Sequence, residues 1–393
     1  MESVTPGAPP LAGVRVIELG QLIAGPFCGQ LLADFGADVI KVEQPGDGDP
    51  MRRWGHASKG KSLSWSVIAR NKRCVTADLH TDDGREFVTA LAGQADVLVE
   101  NFRPGTLERF GLGPATLSEL NPRLIVVRVS GFGQTGPYAS RAGYGSIGEA
   151  MGGLRYLVGE PDRPPSRMGV SLGDMLAGMN AAMGVLLALR ARQRDGTGQQ
   201  IDVSIYESVL SMTEALVADH AIAGVRRERS GSVLPGVAPS NVYPTSDGEF
   251  ILVAANQDTV FRRLATAMGR PELGASDEFG THTARGARQA ELDALIGDWT
   301  GGMTVAGALA VLDDHGVPAG RVYTAADMLV DPHFIARCSL VEVEDDDLGP
   351  IPMQAVAPRL SATPGAVRWA GAGLGAHDAA VRAELGTPAA PTG

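Results

Sequence analysis

Cysteine is scarce in this chain of 393 residues, which contains only Cys28, Cys74 and Cys338. An odd number of distant cysteines with no Cys-x-x-Cys spacing excludes a disulfide framework and a structural zinc site. It indicates a reducing compartment instead. The 7 histidines are scattered along the chain, and none has the spacing of metal ligands. We therefore expect neither a metal site nor a tightly bound cofactor.

Long apolar runs and an excess of basic residues are lacking as well. No stretch of about 18 residues is free of polar interruptions, so no membrane span is expected. The first ten residues lack a basic region followed by an apolar core, so we expect no signal peptide and a cytoplasmic location. The formal net charge of −11 argues against a general nucleic-acid-binding protein. It leaves room for a local basic pocket that binds one anionic ligand.

Two nucleotide-binding motifs are considered, and the sequence lacks a feature that each of them requires. The turn from Gly20 to Pro26 is not Gly-x-Gly-x-x-Gly, which disfavours a nicotinamide-dependent dehydrogenase. Residues 55–62 satisfy the phosphate-binding loop pattern, but the preceding residues 46–54 cannot form the buried strand that this loop requires. A nucleotide-binding protein that uses Gly55 to Ser62 stays open as an alternative of another class.

Alternating strand-like and helix-like segments are what the chain does contain. Their order indicates an α/β protein in which helices cover a parallel sheet. The pattern predicts strands over 14–19, 38–43, 96–100, 124–129 and 200–205, and helices over 26–35, 82–91, 106–120, 175–194 and 207–223. A hairpin over 241–254 begins a smaller α+β unit, and we interpret the acidic run 342–347 as a solvated turn. No internal repeat is present.

These segments predict two domains joined by long linkers. We expect a large Rossmann-like domain over 1–205, a linker over 206–232 and a small α+β domain over 233–328. Residues 329–393 are predicted to be a linker and a C-terminal segment that returns to the large domain.

Asp174 is the first candidate for chemistry. It follows Gly173 at the start of a long apolar stretch, so we expect a carboxylate at a helix N-terminus, where free N–H groups favour the anion. An ionised carboxylate in such a place can attack a thioester or another activated carbonyl. Aspartate is also a preferred N-cap residue, which is the simpler explanation of the same pattern.

A cluster of basic residues lies between positions 52 and 73. It includes Arg52 and Lys72, which we consider as phosphate ligands because arginine and lysine hold phosphates by charge-assisted hydrogen bonds. Asn101 and Arg103 follow the end of a predicted strand, where ligands bind in open α/β sheets. The alternative is an ordinary solvated surface run.

Several segments taken together resemble class III CoA-transferases of the CaiB/BaiF type. They follow one another in the family's order over nearly the whole chain, which makes the resemblance more specific than any single motif. They are residues 11–19, 24–26, 31–43, 48–50, 100–105, 130–133, 136–138, 150–153, 173–174, 235–243 and 247–248.

The resemblance implies that Asp174 is a covalent nucleophile that is acylated by the donor acyl-CoA and then carries CoA as a thioester. Coenzyme A and acyl-CoA are thus substrates rather than resident cofactors. It also implies a homodimer of two interlocked rings, and a nucleotide site on the large domain at which Arg52, Lys72, Asn101 and Arg103 are candidates.

The chain differs from two branches of this family at positions that those branches use. These differences disfavour the reactions of the two branches. Tyr144 replaces the histidine of the racemase branch, and Gly145 and Ile23 replace the acid and the glutamine of formyl-CoA transferases. The remaining pattern looks more like members that act on succinyl-CoA and small dicarboxylates. Tyr144, Glu149 and Arg167 are then candidate substrate residues, with Arg167 pairing with a substrate carboxylate.

We therefore predict a CoA-transferase that moves CoA from a donor such as succinyl-CoA to a small carboxylic or dicarboxylic acid. Two alternatives share the fold. One is a racemase of 2-methylacyl-CoA esters, and the other is a CoA-binding relative without transferase activity.

Overall fold

The computed structural model describes residues 7–386. The chain forms two compact units, and the predicted mixed α/β fold is confirmed. The first unit consists of the described parts of residues 1–155, 168–218 and 335–393, and the second consists of residues 156–167 and 219–334.

The strands of the described residues are short and mostly apolar. In chain order they are β1 (Arg15–Glu18), β2 (Asp38–Glu43), β3 (Ala57–Ser58), β4 (Lys61–Ser62), β5 (Lys72–Thr76), β6 (Val97–Glu100), β7 (Ile125–Ser130), β8 (Gln200–Ser204), β9 (Ser240–Pro244), β10 (Phe250–Ala254), β11 (Ala319–Arg321), β12 (Leu340–Asp345) and β13 (Gly349–Gln354).

The helices range from one turn to more than six turns. They are α1 (Ala24–Asp34), α2 (Leu63–Ile68), α3 (Asp82–Gly93), α4 (Thr106–Arg109), α5 (Pro114–Leu120), α6 (Gly145–Met151), α7 (Leu154–Leu157), α8 (Leu172–Asp195), α9 (Ile205–Leu210), α10 (Leu216–Ala223), α11 (Asp258–Ala267), α12 (His282–Ala287), α13 (Gln289–Gly301), α14 (Val305–Asp314), α15 (Ala325–Val330), α16 (Pro332–Ala336) and α17 (Asp378–Leu385).

A six-stranded parallel sheet organises the first unit. Its strand order is β5-β2-β1-β6-β7-β8, so the chain runs outward from β1 in one direction and then returns to continue from β6 in the other. Val16, Ile17 and Val97 are completely buried, because helices cover both faces of the sheet. The strand order reverses between β1 and β6, and ligands of such sheets bind at the carboxyl ends of the strands at this point.

The long helix α8 packs against α1 and the sheet through small residues. A Cβ on Gly178 would lie 2.8 Å from the carbonyl oxygen of Ala24, so the two helices approach closely at this point. By length and composition α8 could cross a membrane, and 39% of its apolar window is buried inside the protein. The buried side belongs to the core, as in the core helices of many soluble proteins. Opposite it lies an exposed apolar stripe, which we call the outer face of α8: Met179, Met183, Leu186 and Leu187.

The second unit is built on the antiparallel sheet β11-β10-β9, as the predicted hairpin implied. Arg285 organises its loops, since its fully buried guanidinium donates to the carbonyl oxygens of Ala238, Phe279 and Asn256 at 2.7–3.0 Å. It also pairs with Asp258 at 2.7 Å. The clamp satisfies backbone groups that the irregular loops leave unpaired.

Three sequence-based expectations need correction. Residues 206–218 belong to the first unit, and residues 156–167 join the second, so the predicted boundaries at 205 and 232 are displaced. The predicted helices over 106–120 and 207–223 are each two helices, α4 with α5 and α9 with α10. The acidic run 342–347 is not a solvated turn, because its first part is strand β12, and Asp345 at the strand's end is buried against Lys61.

Candidate active site

Asp174 lies in the first turn of α8 but does not cap it. The N-cap residue is Ser171, so Asp174 occupies the third helical position. Its carboxylate rests against the first residue of α6, since a Cβ on Gly145 would lie 2.2 Å from Oδ2 and 2.7 Å from Cγ of Asp174. The carboxylate therefore lies beside the first turns of two helices, α8 and α6, whose dipoles favour a negative charge there. The explanation of Asp174 as an N-cap is wrong.

Glycines allow helices α6, α8 and α9 to meet beside this carboxylate. A Cβ on Gly148 would lie 2.5 Å from Cγ2 of Ile205, the first residue of α9. A Cβ on Gly173 would lie 3.1 Å from the carbonyl oxygen of Gly145. An added methyl group would collide at Gly148 and would make a tight contact at Gly173. We call this meeting of α6, α8 and α9 the glycine junction.

Glu149 lies on α6 within the glycine junction and is buried. One carboxylate oxygen accepts the N–H of Gly173 at 3.3 Å, and the other pairs with Arg155 at 2.6 Å. With both oxygens engaged inside the protein, Glu149 is not presented to a ligand. The prediction that Glu149 contacts the substrate is therefore corrected to a structural contact beside Asp174.

Tyr144 and Arg167, the other two predicted substrate residues, are exposed. Tyr144 is the N-cap residue of α6, immediately before Gly145, so it lies next to the Asp174 carboxylate. Arg167 belongs to the second unit and makes no hydrogen bond or ion pair with any residue in the range 7–386. The predicted contacts of both side chains with substrate stay predictions.

Asn101 and the turn after β1 form the carboxyl edge of the sheet at its switch point. The side-chain oxygen of Asn101 accepts the N–H of Gln21 at 2.7 Å, and its amide nitrogen donates to the Gln21 carbonyl at 2.9 Å. Arg103, two residues further on, is exposed, and its guanidinium has no hydrogen-bond or ion-pair partner among the described residues. Asn101 thus shapes the turn, and Arg103 offers free donors at the same edge.

A network of buried charged side chains holds the turn after β1 from inside the protein. Lys41 pairs with Asp49 at 2.7 Å and with Glu18 at 3.4 Å, and it donates to the carbonyl oxygen of Gly20. Asp49 in turn accepts the N–H of Leu22 at 3.0 Å. Burial opposes the charge on Lys41, but Asp49 and Glu18 outweigh it and raise the pKa of this ammonium group.

Lys72 belongs to the same network, and the prediction that it binds a phosphate is wrong. Its ammonium group is completely buried, pairs with Glu18 at 2.8 Å and donates to the carbonyl of Pro26 at 2.7 Å. Burial lowers the pKa of Lys72, and Glu18 opposes this effect. A group enclosed in this way cannot reach a phosphate in a surface cleft.

Arg52 is also engaged inside the protein. Its guanidinium holds both oxygens of Glu43 at 2.7 Å, donates to the carbonyl of Ala372 at 3.2 Å and stacks on Trp65 at 3.8 Å. This bidentate pair uses the donors that a phosphate would need. The predicted phosphate contact of Arg52 does not fit this geometry, and the cluster at 52–73 is mainly structural.

Residues 55–62 do not form a phosphate-binding loop. They contain the two-stranded ribbon β3–β4, and the side chain of Ser62 accepts the N–H of Trp65 at 3.1 Å as the N-cap of α2. Lys61 pairs with Asp345 at 2.8 Å and Asp347 at 3.2 Å. The nucleotide-binding alternative is therefore wrong. Within residues 7–386, no group of three or more potential ligand side chains is placed to hold a metal ion.

Comparison with known proteins identifies the family. The family model described as CoA-transferase family III matches residues 11–378. The chain belongs to CoA-transferase family III. The resemblance found in the sequence motifs is thereby confirmed.

Individual relatives of this family III CoA-transferase agree with the assignment. The chain is 58% identical over 377 residues to the succinyl-CoA--D-citramalate CoA-transferase of Chloroflexus aurantiacus, covering 96% of this chain and 94% of that protein. It is 43% identical over 380 residues to the succinyl-CoA--L-malate CoA-transferase beta subunit of the same organism, with coverage of 96% and 94%. A crystal structure of a CaiB/BaiF family protein from Brucella suis matches with a TM-score of 0.87 and 38% identity, over 96% of this chain and 100% of that one.

Sequence reasoning singled out Asp174 as the candidate nucleophile of this family III CoA-transferase, but it missed the residues that surround this side chain. From the sequence, Gly145 was only a difference from the formyl-CoA transferases. The structure explains the glycine, because a Cβ at this position would collide with the Asp174 carboxylate. Arg155 was not singled out at all, although its pairing with Glu149 completes the glycine junction. The spacing of Glu149 and Arg155 across a helix end was the available signal.

We predict that Gly145→Ala lowers kcat by about a hundredfold, because displacement of a reacting group by about 1 Å can cost this much. The backbone at Gly145 is not left-handed, so the added methyl group acts through its collision with the Asp174 carboxylate. Steady-state CoA transfer measures the effect. The control is Gly301→Ala, at the end of helix α13, where an added Cβ meets nothing within 4 Å. Normal kcat in Gly145→Ala would contradict the steric role.

Proposed function

We propose that this enzyme transfers CoA from succinyl-CoA to a hydroxylated dicarboxylate, with Asp174 as the covalent nucleophile. The observation that carries the mechanism is the place of the Asp174 carboxylate, in the first turn of α8 and against the backbone of Gly145. A carboxylate held in this way has its charge favoured by two helix N-termini and keeps a fixed direction of attack.

The first half of the reaction loads CoA onto the enzyme. An oxygen of Asp174 attacks the thioester carbonyl of succinyl-CoA, the C–S bond breaks, and the CoA thiolate leaves a mixed anhydride. The thiolate then attacks Cγ of Asp174, the C–O bond of the anhydride breaks, and succinate departs. Asp174 now carries CoA as a thioester, and no proton has been transferred.

The second half repeats these steps in reverse order. A carboxylate oxygen of the acceptor attacks Cγ of Asp174 and expels the thiolate, which forms a second anhydride. The thiolate attacks the acyl carbon of the acceptor, the bond from this carbon to the bridging oxygen breaks, and the Asp174 carboxylate is regenerated with that oxygen. Water would hydrolyse either anhydride, so the site has to exclude water during turnover.

The choice of acceptor rests on the named relatives. The relatives described above are named for D-citramalate and L-malate, and both acids are dicarboxylates with a hydroxyl group beside one carboxylate. D-Citramalate is our first candidate because that relative shares 58% of its residues with this chain over 377 positions. Tyr144 and Arg167 stay candidates for substrate contacts, and Arg103 stays the candidate for a CoA phosphate.

We predict that Asp174→Asn abolishes CoA transfer from succinyl-CoA to D-citramalate, because an amide cannot form the anhydride. Incubation of the unaltered enzyme with succinyl-CoA, followed by hydroxylamine or borohydride trapping and intact mass, should locate the modification at Asp174. Asp195→Asn is the matched control, since Asp195 is an exposed acid at the other end of the same helix.

Three results would contradict this assignment in different ways. Normal turnover of Asp174→Asn would exclude the covalent mechanism. Exchange of the α-proton of an acyl-CoA in deuterated water without an acceptor would favour the racemase alternative. CoA binding without any acyl exchange across a panel of donors would favour the inactive relative.

We further propose that the enzyme is a homodimer in the cytoplasm. The outer face of α8 exposes Met179, Met183, Leu186 and Leu187 at helical spacing, which is unusual for a surface that faces water. A second copy of the chain is the proposed occupant, because most soluble oligomers are assembled from identical chains. The buried free thiols of Cys28 and Cys74 suit a reducing compartment.

We predict that Met183→Glu with Leu187→Glu converts the dimer to a monomer, because charged side chains would be buried without partners. Light scattering coupled to size-exclusion chromatography gives the mass. Leu120→Glu, on the exposed side of α5, is the control for adding a charge to an apolar surface position. A dimer that survives both outer-face substitutions would show that this face is not the interface.

A further inference from the structure

Helix α8 begins without a cap of its own. Ser171 is the N-cap residue, but its side chain makes no capping hydrogen bond. The first N–H groups of a helix have no partner within it and need one from elsewhere. Glu149 of helix α6 supplies one, since its carboxylate oxygen accepts the N–H of Gly173 at 3.3 Å. The residue after Gly173 is Asp174.

A glutamate is unusual at position 149, where the side chain is only 3% exposed, because charged residues are seldom buried. Its second oxygen pairs with Arg155 at 2.6 Å, which compensates the buried charge. Buried ion pairs seldom stabilise a fold more than apolar residues of the same size would. The hydrogen bond to Gly173 gives the acid a function that an apolar residue could not perform.

The geometry links this hydrogen bond directly to the nucleophile. A Cβ on Gly173 would lie 3.1 Å from Cγ of Glu149, so α8 and the Glu149 side chain are in close contact at the start of the helix. One residue later, the Asp174 carboxylate lies against Gly145, on the same helix as Glu149. The contact between Glu149 and Gly173 therefore lies one residue before Asp174 and involves the same helix, α6, that the Asp174 carboxylate touches.

We infer that Glu149 is a positioning residue for the transfer reaction, which acts by capping the first turn of α8 from α6 and so fixing the direction of the Asp174 carboxylate. Arg155 keeps the Glu149 side chain in place and neutralises its charge beside a second carboxylate. Glu149 does not touch the substrate. The inference rests on the proposed function, because it assumes that Asp174 is the nucleophile.

A matched pair of double variants tests the inference. Glu149→Met with Arg155→Met removes both charges and the acceptor, whereas Glu149→Gln with Arg155→Met removes both charges and keeps a carbonyl oxygen for the Gly173 N–H. We expect the first pair to lower kcat at least about tenfold with KM for succinyl-CoA unchanged, because the reacting group is misdirected while the substrate still binds. The glutamine pair should restore kcat to within about threefold of the unaltered enzyme.

Hydrogen exchange provides the readout at the helix itself. The backbone amides at the start of α8 should exchange faster in the methionine pair than in the glutamine pair, because they lose their acceptor. Thermal unfolding checks that both proteins fold, and Glu149→Leu replaces Glu149→Met if the methionine pair does not. Arg194→Gln, which removes an exposed ion pair with Asp195 on the same helix, should leave kcat unchanged.

The outcomes separate this inference from the proposed function. Equal kcat values in the two double variants, whether high or low, would overturn the positioning role of Glu149. Equal exchange rates at the start of α8 would overturn it as well. If Asp174→Asn is inactive and both double variants are normal, only the positioning inference fails. If Asp174→Asn is active, the covalent mechanism fails whatever the double variants do.

Discussion

The close approach of helices α6 and α8 is the constraint on which the site depends. Gly145 and Gly173 let the two backbones approach until the Asp174 carboxylate touches the first residue of α6. The carboxylate then lies in the first turn of α8 and beside the start of α6, where the helix dipoles favour its negative charge. Asp174 is therefore a candidate nucleophile because of the way in which the two helices pack around it.

A network of buried side chains fixes the turn after β1, at the edge of the sheet where we expect the ligand to bind. Lys41, Asp49 and Glu18 hold the turn after β1 from inside, and Asn101 holds it from the next strand. The charges are compensated within the protein, so they fix a loop and add little net field at the surface. Arg103 stands apart from this group because its guanidinium has no hydrogen-bond or ion-pair partner in the described range 7–386.

The sequence predicted the local elements well wherever hydrophobic pattern decided them. Strand β2 was predicted with its observed bounds, 38–43, and helix α8 within three residues at each end. Strand β5 was missed because it begins with Lys72 and Arg73, and charge in a sequence suggests a surface. The same rule misplaced Asp345 and Lys72, whose partners lie far away in the chain: Asp345 pairs with Lys61, 284 residues earlier. Such pairings depend on tertiary structure, which no local pattern contains.

The path of an oxygen atom tests the covalent mechanism most directly. Turnover with an acceptor whose carboxylate carries heavy oxygen (¹⁸O) should place the label on the Asp174 carboxylate, because the bridging oxygen of the second anhydride stays with the enzyme. Continued turnover with succinyl-CoA should then deliver the label to succinate. Mass spectrometry of the peptide containing Asp174 and of the released succinate measures both transfers. Complete turnover with no label in either species would contradict the account.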